Sequence, residues 1–168
     1  QNILQARAGL ISEREMWQQL YQGFGRGLAE TGFDGQPLHR VSDRLREDGG
    51  FMRVYWSGAW YFLAADTRLR LQSGGRLSLD AALKKLNQCC AEDRLSVPEM
   101  VARLDDLNRL VLFRSLYDEV AASTTVPPFA AIFASLGIDV VDGQVRLQAT
   151  GPGARLRRAI TAAPGAIL

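Results

Sequence analysis

The spacing of hydrophobic positions predicts a chain built mostly of helices. In the first long segment, apolar residues recur every three or four positions, which is typical of one buried face of an α-helix. They are Met16, Trp17, Leu20, Tyr21, Phe24 and Leu28. Ser12 and Glu15 have the spacing of a capping box, which predicts where this helix begins. Three glycines near its end, Gly23, Gly25 and Gly27, are expected to weaken its last turns.

The segment RVYWSGAWYFLAADTRLR at 53–70 is apolar on every side. We expect a helix from about Met52 to Ser73 that stops at a Gly-Gly pair and is enclosed by other helices. Asp66 and Arg70 are four residues apart, so their side chains can pair on one face. No apolar run reaches the roughly 18 to 20 residues of a membrane helix, so the sequence predicts no membrane partner.

Shorter helices are predicted downstream. Ser78 can cap a helix whose inward positions are Leu79, Leu83, Leu86 and Cys90. Ser96 and Glu99 form a second capping box. Further helices are expected over 110–121 and from a Pro-Pro pair at 127–128 to Gly137.

One late segment, IDVVDGQVRL at 138–147, has a strong strand pattern. Asp-Gly between two β-branched runs favours a two-residue hairpin turn. That turn would place Asp139 opposite Arg146 and Ile138 opposite Leu147. The predicted fold class is therefore mainly α, a multi-helix array with a small C-terminal β-hairpin. We expect a helical unit at 1–137, the hairpin at 138–148 and a tail of uncertain order at 149–168.

Composition narrows the possible partners. The 168 residues suffice for one domain with a sizeable core, and 20 basic against 18 acidic residues leave a net charge of only +2. No Lys/Arg block exceeds a pair, so no nucleic-acid partner is predicted. Cys89 and Cys90 are adjacent, and neighbouring cysteines rarely bridge without strain. We expect free thiols in a packing role, which slightly favours a cytoplasmic location over a periplasmic one.

The residues by themselves suggest no complete active site. His39 is the single histidine and no C-x-x-C occurs, so a zinc site cannot be assembled from this sequence. The glycine-rich GFGRG at 23–27 follows a helix and lacks the Lys-Ser/Thr of a phosphate-binding loop. A Ser-His-Asp set cannot be proposed either.

Tyr55 is the one candidate for chemistry. It lies near the start of the long apolar helix, just after an Asp-Gly-Gly break, where a phenol can point out of the core. A tyrosine hydroxyl stays protonated near neutrality and donates one directed hydrogen bond, which suits stabilisation of an oxyanion. The alternative is an ordinary packing role. Gly58, one turn later inside the helix, predicts the close approach of another backbone.

An ordered series of motifs resembles known peptidases. Tyr-Trp-Ser-Gly-Ala at 55–59 resembles the Tyr-x-Lys-Gly-Ala motif of thermolysin-like zinc aminopeptidases. Within that group, the stretches at 64–70 and 73–80 are similar to the glycyl aminopeptidase family. There the corresponding regions read Leu-Leu-Asp-x-x-Leu-Arg, then Thr-Gly-Gly and Ser-Leu-Asp. Arg-Ala-Gly-Leu-Ile at 7–11 and Pro-Phe…Leu-Gly-Ile at 128–138 extend the resemblance over residues 1 to 140.

The resemblance implies the C-terminal helical subdomain of a gluzincin aminopeptidase. In that family the HExxH helix and the glutamate zinc ligand precede the Arg-Ala-Gly-Leu-Ile segment, so zinc would belong to the parent protein and not to this fragment. Tyr55 matches the tyrosine that donates to the oxyanion, whereas Ser57 replaces the motif's lysine. The implied partners are the zinc-bearing N-terminal part of the same polypeptide and a peptide substrate.

Three hypotheses follow. The first is a metalloaminopeptidase fragment that shapes the substrate cleft and is inactive alone. The sequence begins with Gln1 instead of Met, so we expect either that its start was processed or that it is a piece of a longer protein. The second is a catalytically inert helical interaction module derived from such a peptidase. The third is an unrelated helical domain.

Overall fold

A computed structural model describes residues 1–162 and confirms the predicted fold class, mainly helical with a small antiparallel hairpin near the C-terminus. The elements, in chain order, are α1 (Asn2–Arg7), α2 (Glu13–Ala29), a 3-10 turn (Thr31–Phe33), α3 (Leu38–Asp43), α4 (Leu45–Asp48), α5 (Phe51–Ser73), α6 (Leu79–Cys90), α7 (Val97–Asn108), α8 (Phe113–Ala122), α9 (Ala130–Ser135), β1 (Ile138–Val141), β2 (Gln144–Leu147) and α10 (Pro152–Thr161). Among these residues no helix is both long and apolar enough to span a bilayer.

Helix α5 is the central element, against which α2, α3, α6, α8, α9 and α10 all pack. Its observed bounds agree with the predicted ones to within a residue. Gly50 precedes the helix with φ +90°, and Gly74 ends it in the left-handed conformation. Tyr61 is buried in the centre and donates a 3.0 Å hydrogen bond to the Phe113 carbonyl of α8. Burial, and secondarily the charge of Asp105, raise the pKa of Tyr61, so this phenol is a structural donor.

The three serine caps differ in completeness. Ser96 accepts from the Glu99 amide, and the Glu99 carboxylate accepts from the Ser96 amide at 2.8 Å, so the predicted capping box is confirmed. Ser78 caps α6 as predicted, by accepting from the Ala81 amide. Ser12 accepts from the Glu15 amide at 3.1 Å, which is the serine half of the predicted box.

The hairpin has the predicted register, with Asp139 opposite Arg146 and Ile138 opposite Leu147. Its two turn residues both have positive φ, as an Asp-Gly hairpin turn requires. Gln18 of α2 holds it in place, because its side-chain amide donates to the Gly143 carbonyl and its oxygen accepts from the Val145 amide. The hairpin is therefore fixed to the helical array.

The segment after the hairpin, for which the sequence predicted no element, contains α10. Arg157 of this helix is buried and donates to the carbonyls of Leu136, Gly137 and Gln148 at 2.9 to 3.1 Å. Its Nε also donates to Glu13 at 3.0 Å, which ties α10 to the start of α2. Residues 163–168 of the predicted tail lie outside the described residues.

Several local predictions are wrong. In α6 the predicted inward positions Leu79 and Leu86 pack against the core, but Leu83 is exposed and the fully buried residue is Ala82. The helix predicted to begin at 110 begins at Phe113, because the Asp105 carboxylate accepts hydrogen bonds from the amides of Leu112 and Phe113. The helix predicted to begin at the Pro-Pro pair begins at Ala130.

The prediction of free thiols is also wrong, because Cys89 and Cys90 form a disulfide. The bridge joins consecutive residues in the last turn of α6, where Cys89 is exposed and Cys90 half-buried. The thiol-based argument for a reducing compartment no longer applies.

Candidate functional site

One face of α5 is exposed, although the sequence predicted a helix enclosed on all sides. Tyr55 is 61% exposed, and Phe51, Met52 and Phe62 on the same helix are exposed too. Other parts of α5 pack against α2, α8 and α10. Among residues 1–162 nothing packs over the remaining face, so these aromatic and sulfur-containing side chains meet solvent.

Tyr55 and Phe62 on this face line an apolar groove of about 490 Å³. Helices α1, α2, α5, α6 and α10 all contribute to it. The apolar lining includes Leu4, Leu20, Phe24, Val54, Phe62, Leu63, Leu79 and Ile160. Gln1 and Asn2 lie at the groove as well. The groove is therefore built from both ends of the described chain, around the centre of α5.

Charged side chains line one end of the groove and are already engaged. Arg7 donates to both carboxylate oxygens of Asp80, at 2.9 and 2.8 Å, and also to the Ile160 carbonyl. Asp66 accepts from the Arg70 guanidinium at 3.0 Å, as the sequence predicted, and from the Leu79 amide at 2.8 Å. These bonds join α1, α5, α6 and α10, so they fix the shape of the groove.

Tyr55 lies between the groove and a second cavity, and it lines both. Its ring packs edge-on against Trp56, with 5.1 Å between the ring centroids. Two hydrogen bonds fix the first turn of α5 to neighbouring segments. Glu30 accepts from the Arg53 amide, and the buried Arg53 side chain donates to the Ser123 carbonyl. Burial lowers the pKa of Arg53, and the nearby Asp34 partly opposes that shift.

The second cavity, of about 450 Å³, is more polar than the groove. Its lining comprises Asn2, Gln19, Gln22, Arg26, Met52, Tyr55 and Trp56. Arg26 lies over the Trp56 ring, 5.4 Å from its centroid, which is a cation–π contact. The sequence reasoning missed Gln19, Gln22 and Arg26. Their spacing of i, i+3 and i+7 could have indicated a polar patch, since it puts all three side chains on one face of α2.

The neighbours of Tyr55 on α5 differ from the sequence predictions. No atom outside the helix lies within 4 Å of a β-carbon built on Gly58, so the predicted close approach of another backbone is wrong. Gly58 lines the open groove instead. Ser57, at the position of the motif's lysine, is fully buried. A lysine there would place an ammonium group in the core, which is unfavourable without a partner.

The described residues offer no metal centre. Within 1–162, no three or more His, Cys, Asp or Glu side chains are grouped so that they could hold a metal ion. His39 is exposed on α3, with its Nδ1 3.0 Å from the Ala121 carbonyl oxygen. A zinc ion therefore has no ligand set in this part of the chain.

Comparison with protein-family models, curated proteins and solved structures finds no match for this chain. The resemblance to glycyl aminopeptidases stays a prediction from the motif series.

Proposed function

We propose that this chain is the C-terminal helical part of a zinc aminopeptidase of the glycyl aminopeptidase type. In this proposal it forms one side of the substrate cleft and supplies Tyr55. In this proposal it does not hydrolyse peptides alone, because the resemblance places the zinc ligands in the preceding part of the parent. The zinc and the general base would come from the part of the parent outside this sequence, and we assign this chain no metal ligand.

The position of Tyr55 is the main support for the proposal. Its side chain is exposed on the uncovered face of α5 and lines the groove, whose volume of about 490 Å³ is enough for a peptide side chain. A hydroxyl held there can donate a hydrogen bond to the carbonyl oxygen of a bound substrate. That bond strengthens as negative charge develops on the oxygen, so it lowers the barrier to attack.

The groove gives further support. Its exposed apolar surface on α5, extended by Leu4 on α1, is of the kind that another protein segment or a substrate covers. Gln1 and Asn2 line the groove, so residues that precede Gln1 in a longer parent would join the chain beside it. A preceding domain could therefore complete the cleft on the side where Tyr55 is exposed.

The test is the Tyr55→Phe substitution in the intact parent, assayed for aminopeptidase turnover. Loss of one oxyanion donor is expected to lower kcat by about 100- to 1000-fold, since the ring is kept and only the hydroxyl is removed. Tyr117→Phe is the matched control, because Tyr117 lies on α8 away from the groove. Unchanged turnover in Tyr55→Phe, with HExxH encoded upstream of Gln1, would refute the assigned role.

A second candidate function is favoured by the same exposed apolar face. The chain would then be a catalytically inert helical module that uses the groove to bind a protein partner. The residues encoded before Gln1 distinguish the two proposals. HExxH followed by a downstream glutamate favours the peptidase, and their absence favours the interaction module.

A further inference from the structure

We infer that the second cavity binds the carboxylate group of a ligand through Arg26. Its identification as the free C-terminal carboxylate of a short peptide substrate rests on the proposed function. The binding site itself does not, because it follows from the charges and hydrogen-bonding groups that line the cavity.

Arg26 is the sole charged side chain among the lining residues of this cavity. The remaining polar groups are the amides of Asn2, Gln19 and Gln22 and the phenol of Tyr55, all of which can donate hydrogen bonds. No acidic side chain lines it. A cavity with one cation and several neutral donors is complementary to a single negative charge.

Arg26 is free to bind because its helix neighbours do not neutralise it. The residue four positions before it is Gln22, which is neutral, and the residue four positions after it is Glu30. The Glu30 carboxylate accepts instead from the Arg53 amide at 2.7 Å. Within residues 1–162, Arg26 forms no salt bridge, in contrast to Arg7 in the groove, which is paired with Asp80.

The Arg26 guanidinium is also partly oriented in advance. It lies over the ring of Trp56, 5.4 Å from the centroid, and that ring is held against α2 at Gly23 and Gly27. A planar guanidinium fixed in this way can offer two parallel N–H groups to a carboxylate. The cation–π contact restricts the Arg26 side chain before a ligand binds, so less conformational entropy is lost on binding.

The groove and the second cavity together indicate a ligand with an apolar part at one end and a carboxylate at the other. Tyr55 and Trp56 line both, so a molecule that reaches past Tyr55 can place an apolar part in the groove and its carboxylate near Arg26. A short peptide with an apolar side chain and a free C-terminus has this combination. In a long peptide the C-terminal carboxylate would lie beyond Arg26, and an amidated peptide has no such carboxylate.

The test compares two probes that differ in one group. N-acetyl-L-leucine and N-acetyl-L-leucinamide are titrated into the chain and followed by NMR of the side-chain N–H signals. We expect the acid to bind about tenfold more tightly, with shifts at Gln19, Gln22 and Arg26, because a charge-assisted pair replaces a neutral one. The preference should weaken at high salt, since the site is open to solvent.

Arg26→Gln is expected to abolish the preference for the acid. Arg103→Gln removes the same charge from an exposed position on α7 and should leave the preference intact. Equal affinity for the two probes, no measurable binding of the acid at millimolar concentrations, or a preference that survives Arg26→Gln would each overturn the inference. So would shifts confined to Gln1, which would indicate binding at the terminal amine.

Kinetics of the intact parent separate this inference from the proposed function. Arg26→Gln should raise KM about tenfold for a peptide with a free carboxylate, with little change in kcat or in the KM of its amide. An active parent that treats both peptides alike would refute the carboxylate site alone. Carboxylate binding by the chain with an inactive parent would refute the peptidase proposal alone.

Discussion

The Trp56 indole occupies the space that a side chain on Gly23 would need. A β-carbon built on Gly23 would lie 1.8 Å from the ring atom Cη2 of Trp56, and one on Gly27 would lie 2.6 Å from the Trp56 Cβ. Two glycines one turn apart therefore allow α2 and α5 to approach closely. The same contact positions Trp56 beneath Arg26 and beside Tyr55, so it supports the candidate site as well as the core.

Gly23→Ala is expected to destabilise the protein, although alanine is the better helix former. The added methyl group would force Trp56 or α2 to move, and overpacking of this kind costs about 1 to 3 kcal/mol. Gly25→Ala is the matched control on the same helix, since no atom lies within 4 Å of its β-carbon. It should stabilise by up to about 1 kcal/mol. Urea unfolding of both variants measures the difference, and two equal effects would contradict the packing described.

Asp66→Ala should cost about 3 to 5 kcal/mol of unfolding free energy, because it leaves the buried Arg70 guanidinium without its closest partner. It also removes the acceptor of the Leu79 amide at the start of α6. Glu119→Ala is the comparison, since it breaks an exposed ion pair with Arg68 and should cost under about 1 kcal/mol. Thermal unfolding of the two variants at one pH tests the contrast. A loss for Asp66→Ala as small as that for Glu119→Ala would show that the pair is unimportant.

Asp105→Asn is predicted to loosen the start of α8. The Asp105 carboxylate accepts from three successive amides, those of Leu112, Phe113 and Arg114, at 2.8 to 3.0 Å. An asparagine places an NH₂ against one of those amides, and loss of a bond to a charged acceptor costs about 1.5 to 3 kcal/mol. Asp106→Asn, at the exposed neighbouring position, should change stability by less than about 0.5 kcal/mol. Equal chemical-denaturation midpoints for the two variants would argue against this cap.

The α7 capping box predicts a pH effect. Hydrogen bonds from the Ser96 hydroxyl and then from its backbone amide lower the pKa of Glu99. Because the folded pKa lies below the unfolded value of about 4.3, the stabilisation is present above that value and is lost as pH falls through the folded pKa. Ser96→Ala should raise the pKa of Glu99, as measured by NMR titration of its carboxyl carbon. Ser115→Ala, which removes a hydroxyl bonded to the Leu112 carbonyl, should leave it unchanged. The same Glu99 titration in all three proteins would contradict this account.

Part of the candidate site could be predicted from the sequence. A phenol just after a glycine break at the start of an apolar helix indicates Tyr55, and the structure places this residue in an exposed position beside a groove. The sequence does not indicate Arg26, because its suitability for binding an anion depends on its contact with Trp56 and on the hydrogen bond that Glu30 makes elsewhere. Contacts between residues 26 and 56 arise only when α2 and α5 pack together, and local spacing does not encode them.

The sequence alone determined the helix bounds of α5, the serine caps, the Asp66–Arg70 pair and the hairpin register, because each depends on residues within a few positions of one another. Tertiary structure decided which face of α5 stays exposed, that the segment after the hairpin folds back as α10, and that Gly23 and Gly27 of α2 serve packing. These outcomes depend on which elements pack together. A helix that is apolar on every side has no sequence pattern that indicates which face its neighbours will leave exposed.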